Sequence, residues 1–186
     1  MNWPAPGAEE LAGEVESLLA AKSIAIEFDA QRGFDHGTFV PMALTYPHAD
    51  IPTLQLSLKS GLDPHFHYQL GRALAPLRDQ GIVLVGSGMS YHNLRNLIQH
   101  MRGGPAPSES SLAFVHWLVN SMQQTADVRE KELLTWEHAP FARECHPREE
   151  HLLPLHVMAG AGEGATASFP FRDKLLGAHV SAVHFS

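Results

Sequence analysis

The stretch GIVLVGSG, residues 81–88, decides how the rest of the chain is read. It is a continuous apolar run of strand length closed by glycines, the pattern of a β-strand covered on both faces. Just upstream, PHFHYQLGRALAPLRDQG (64–81) has helical spacing and stops at Gly81, a good helix end. A helix feeding a buried strand argues for an α/β fold, with a central mostly parallel or mixed sheet flanked by helices. In such sheets ligands gather at the carboxyl ends of the strands, so the residues after Gly88 are where a site is expected.

Working outward, AEELAGEVESLLAA (8–21) places Leu11, Val15, Leu18 and Leu19 on one helical face and glutamates on the other. SIAIEF (23–28) alternates and reads as a strand, as does IPTLQLSL (51–58), with Leu54, Leu56 and Leu58 on one face. GTFVPMALTY (37–46) reads as a short helix that tolerates Pro41 near its first turn. GGPAPSES (103–110) has the composition of a mobile loop. Two helices are expected over 111–126 and 127–139, and a third over 148–162 with Pro154 inside it or at its start. HVSAVHFS (179–186) alternates as a closing strand. No linker is long enough to divide the chain, so residues 1–186 are read as one domain.

The 186 residues can bury a sizeable core, and 44% hydrophobic with 18% charged residues is a globular balance. The formal net charge is −7 and the 13 Lys and Arg are scattered, which argues against nucleic acid as a partner. Cys145 is the single cysteine, which excludes an intrachain disulfide and suits a reducing cytoplasm. No apolar run reaches the ~20 residues that cross a bilayer, and the N-terminus lacks a signal-peptide pattern, so a cytoplasmic protein with no membrane association is expected.

The 13 histidines raise the expectation of metal or proton-transfer chemistry. Three sit where the outline places a site. His36 lies in the Gly-flanked turn GFDHG, His92 just after the strand 81–88, and His151 at the entry to the helix EEHLLPL. His65 and His67 would diverge on a helix. His116, His156, His179 and His184 fall in apolar patterns and read as core or edge residues, whereas His48, His100, His138 and His146 fall in polar turns. HExxH, GxGxxG and GxxxxGK[ST] are absent, and VGSGMS does not match GxSxG, so zincin, dinucleotide, P-loop and serine-hydrolase readings lack their signatures.

Taken in order, FDHG, YPHADIP, LAPLRDQGI, GSG with HNLR, and EHLLPL resemble the class III extradiol ring-cleavage dioxygenases, in the branch similar to 4,5-DOPA dioxygenase. The resemblance runs from about Asn2 to Ser186. It implies a non-haem Fe(II) enzyme, with zinc as the other metal, that opens a catecholic aromatic ring with O2. It places His151 at a metal-ligand position. His92 takes the position of the acid/base or of a metal neighbour, and His36 that of a residue that helps bind substrate or O2, with Asp35 orienting it. Members of the branch also carry HGSP and AHW segments, each contributing a metal-binding histidine; neither occurs here, since NWPAPG resembles a point about a third of the way into a member. The expectation is therefore a weakly held metal, a possible homo-oligomer or a partner subunit that completes the site, and, as the competing reading, an inactive truncated homologue or scaffolding subunit.

Overall fold

The structure is a computed structural model and describes residues 3–186, so Asn2, the first residue of the resemblance, lies outside the described residues. Among the described residues eight helices account for most of the architecture: α1 Glu9–Ala20, α2 His36–Thr45, α3 Pro64–Leu74, α4 Leu94–Met101, α5 Ser108–Met122, α6 Ala126–Leu134, α7 Ala142–Cys145 and α8 Leu153–Ala161. Strands β1 Ala167–Leu175 and β2 Ala178–Phe185 follow them at the end of the chain.

Helices α3 and α8 form the most extensive helix pair. They meet through glycine: a Cβ added at Gly71 would lie 1.9 Å from the Val157 carbonyl oxygen, and one at Gly160 would lie 2.1 Å from that of Tyr68. Only a residue without a side chain lets two backbones approach this closely. On one side of the pair, α1 docks Val15 and Leu19 against Leu70, Ala73, Leu74 and Leu77. On the other, α5, α6 and β2 enclose a core centred on Tyr68, Tyr91, Phe114, Leu118, Met122 and Trp136. Arg72 bridges this assembly at its rim, donating to Glu130 at 2.6 and 2.8 Å and to Glu163.

The α/β class holds, with helices dominating. The expected central, mostly parallel sheet is corrected: among the described residues the one sheet is the antiparallel hairpin β1–β2. Segments 24–28, 52–58 and 82–88 carry no strand pairing, apart from a single parallel bridge between Gly7 and Thr53, and Ser23 and Gly81 are turn residues at positive φ. The run 82–85 keeps a two-residue period, with Ile82 and Leu84 turned inward. Val83 and Val85, however, are 79% and 62% exposed, so the strand expected to be covered on both faces is covered on one.

Strand β1 escaped the sequence pattern for two reasons. Pro170 lies within it, at an irregularity in the register between Ser168 and Phe171, where a missing N–H is tolerated. Its turn also uses Leu176 and Gly177, both at positive φ, in place of the usual Asn-Gly pair. Elsewhere, Ser108 onward is helical where a loop through 110 was expected. The helix expected over 127–139 is α6 followed by a short 3-10 turn at Trp136–His138. The helix expected over 148–162 opens with another 3-10 turn, Glu149–His151, and Pro154 sits in the first turn of α8.

Candidate active site

Residues 86–93 and 144–151 run against each other and carry the two central histidines. Met89 N–H donates to the His151 carbonyl at 2.9 Å, His92 N–H to the Cys145 carbonyl at 3.0 Å, and the Asn93 side-chain amide to the Glu144 carbonyl at 2.7 Å. The glycines of GSG make this approach possible. A Cβ at Gly88 would lie 2.3 Å from the His151 carbonyl oxygen, and one at Gly86 would lie 2.9 Å from that of Pro154. The GSG turn is thus a tight passage across the entry to α8, and it contains no phosphate-gripping helix start.

The result is a face-to-face pair: the His92 and His151 rings stack with centroids 3.4 Å apart and planes 24° from parallel. Both imidazoles are half-buried. Burial pushes the pKa of each below the ordinary histidine value, and a charge on His36 would push both further down, while Glu150 acts in the opposite sense. Two stacked cations would repel, so the pair is poised as neutral bases near pH 7. His151 Nε2 lies 3.9 Å from Glu150 Oε1.

His36 begins α2 and is exposed. It stands beside the GSG turn, since a Cβ at the adjacent Gly37 would lie 3.6 Å from Ser87 Oγ. Asp35 has other partners. Its Oδ1 accepts from Thr38 N–H at 3.1 Å as the helix cap, its Oδ2 accepts from the Gln55 amide at 3.3 Å, and Gln55 Oε1 in turn accepts from Asp35 N–H at 2.9 Å. The carboxylate therefore fixes the start of the helix that carries His36, and no hydrogen bond joins it to the ring among the described residues.

The sequence pattern misplaced two histidines. His116, expected as a core or edge residue, is exposed on α5. His146, expected in a solvated turn, is wholly buried between Phe114 and Trp136, with ring centroids 5.1 and 6.1 Å away. Its Nε2 meets the Ser90 carbonyl at 3.2 Å, so Nε2 carries the proton, and its Nδ1 is buried without a partner. Burial pushes its pKa down to about 4. The neighbouring Cys145 is equally sealed; burial pushes its thiol up to about 12.

His67, expected to diverge from His65 on a helix, has both ring nitrogens engaged, by the Asp63 carbonyl at 2.7 Å and by Lys59 N–H at 3.2 Å. His65 lies apart from the stacked pair, in a separate cavity of about 650 Å³ with Lys22, Arg72 and Glu163. His156 is held in the core by the Leu133 carbonyl at 2.9 Å.

A cavity of about 540 Å³ is lined by segment 82–90, by the second half of β2 and, of the stacked pair, by His151. Val83, Val85, Leu155 and Phe185 also line it.

Residues 1–183 match the model of the catalytic LigB subunit of aromatic ring-opening dioxygenase. The chain belongs to this family. It is 41% identical over 172 residues to a 4,5-DOPA dioxygenase extradiol of Beta vulgaris, a match covering 89% of this chain and 61% of that protein. It is 36% identical to the 4,5-DOPA dioxygenase extradiol of Escherichia coli K12 over 163 residues, 88% of this chain and 59% of that protein. The crystal structure of an uncharacterized Escherichia coli K12 protein superposes with a TM-score of 0.85 at 33% identity, covering 98% of this chain and 75% of that one. This LigB-family chain thus spans about three fifths of the length of the curated relatives it matches.

Metal dependence is typical of the family. Among the described residues no three His, Cys, Asp or Glu side chains converge on one point. The stacked pair is also poorly disposed: ring lone pairs lie in the ring planes, and an ion in the plane of one ring sits off the plane of the other. The residues described do not by themselves fit a resident metal with three protein ligands. No described helix is long and apolar enough to cross a membrane.

Proposed function

We propose that this chain carries one part of an extradiol dioxygenase centre that opens a catecholic aromatic ring with O2, and that the remaining metal donors come from polypeptide outside the described residues. The observation that carries this reading is the His92–His151 stack near His36 and Ser87, with His151 lining a cavity of a LigB-family fold. Fe(II) is the metal assigned to the completed centre, with zinc as the alternative. His151 is assigned as a ligand, His92 as the acid/base or metal neighbour, and His36, on the helix capped by Asp35, as the residue facing substrate or O2. Burial keeps His92 neutral and able to take a proton from a catechol hydroxyl. The proposed location is the cytoplasm.

The competing reading is a non-catalytic homologue that keeps the fold and scaffolds a partner chain. The lack of three converging donors among the described residues favours it. Anaerobic Fe(II) binding, followed by a catechol and oxygen, separates the two. The experiment is run on the chain alone and with a polypeptide supplying HGSP and AHW segments. The dioxygenase reading expects weak iron alone, then stoichiometric iron and yellow ring-opened product in the complex; a complex that binds iron without colour sinks it. In an active complex, His92→Ala and His36→Gln should each abolish colour with the fold intact, and His151→Ala should lower iron content.

A further inference from the structure

We propose that His146 is the positioning residue of the histidine pair: through its Nε2–H it holds the Ser90 carbonyl and so fixes the turn that presents His92 against His151. The inference rests on the reading of that pair as the centre of the site.

The geometry comes from several contacts converging on one short turn. Residues 89 to 93 are held on the 144–151 segment by backbone bonds at Met89 and His92, and by the side chain of Asn93. Between Met89 and His92 the grip passes to a side chain, since the Ser90 carbonyl accepts from His146. Ser90 itself is buried, and its hydroxyl oxygen accepts from Ser181 N–H at 2.9 Å, tying the same turn to β2. A buried carbonyl deprived of its donor is costly, enough for the turn to find another conformation.

An aromatic hydrocarbon would fill the slot between Phe114 and Trp136 equally well, so packing alone does not explain a histidine there. The ring is fully buried, and its other nitrogen stays unpaired. A buried lone pair without a donor is a cost, and the Ser90 bond is the feature that offsets it. Gln can place its amide nitrogen near the position of Nε2, whereas Phe keeps the volume and removes the donor.

The test is NMR of the uniformly isotope-labelled chain without metal or substrate. In the wild type, the stacked pair should show mutually displaced ring-proton shifts, and a through-hydrogen-bond coupling should link His146 Nε2 to the Ser90 carbonyl carbon. His146→Phe should abolish the displacement of the His92 and His151 rings, while Phe114 and Trp136 signals show the core retained; His146→Gln should restore the displacement. Unchanged His92 and His151 signals in His146→Phe would overturn the proposal. So would absence of the coupling in the wild type, a measurement that stands even where His146→Phe fails to fold. Because neither readout needs iron or turnover, failure here is distinct from failure of the dioxygenase reading, which iron binding and colour decide.

Discussion

Two apolar regions of this molecule differ in how they are finished. Around Tyr68, Tyr91, Phe114 and Trp136 the large side chains are closed to solvent. Along 24–28, 53–58 and 82–85, Ile24, Ile26, Leu54, Ile82 and Leu84 pack inward while Phe28, Leu56, Val83 and Val85 face outward, on backbone with almost no ladder partners. The difference follows from backbone hydrogen bonding. A helix satisfies its own peptide groups, so the helical region closes with the residues at hand; an extended segment needs neighbours on both edges, and here they are missing among the described residues.

Substitutions can break or sharpen this contrast. Trp136→Ala, in the closed region, should cost about 3–5 kcal/mol in urea unfolding, because a fully buried ring leaves a cavity. If the loss is well under that, the core is looser than its burial implies. Next in size, Gly160→Ala forces a Cβ into the Tyr68 carbonyl and should cost roughly 1–3 kcal/mol, read from the same midpoint.

Acid should act on the closed region as well. Burial holds the pKa of His146 and His156 down to about 4, against 6.5 in the unfolded chain. The unfolded chain therefore binds more protons between those values, and stability is full above pH 6.5 and lost as pH falls toward 4. The two together amount to a few kcal/mol, on the order of one per unit of pKa difference for each. A thermal midpoint flat from pH 6.5 to 4 would place water against these rings.

Smaller effects belong to the open region. Asp35→Ala removes the cap of α2 and should cost about 1 kcal/mol. Val83→Ser should change stability by no more than about 0.5 kcal/mol. A loss comparable to that of Trp136→Ala would mean the open edge is covered in solution, and sedimentation at two concentrations would show whether a second copy covers it.

The sequence carried the helices well where apolar spacing was regular, as in α1 and α3, and Pro154 marked the start of α8. Strand character was also legible at 81–88, but pairing was not, because a two-residue period says nothing about which chain lies alongside. Of the site, GSG and the loops bearing His92 and His151 could be located from the order of elements; their stacking depends on glycine-permitted contact between segments some 60 residues apart. The exchange of His116 and His146 has the same origin. Local polarity suggested that His146 was solvated, but Phe114 and Trp136 close over it from other elements.

Cys145 gives this contrast a practical use. As the chain's single thiol, sealed and kept protonated by burial, it should ignore maleimides and mild oxidants under native conditions. The unmodified protein is therefore a dark background for labelling. A cysteine introduced at residue 83 or 85 would be its one reactive handle, and a fluorophore there would report directly on whatever settles against the valine edge.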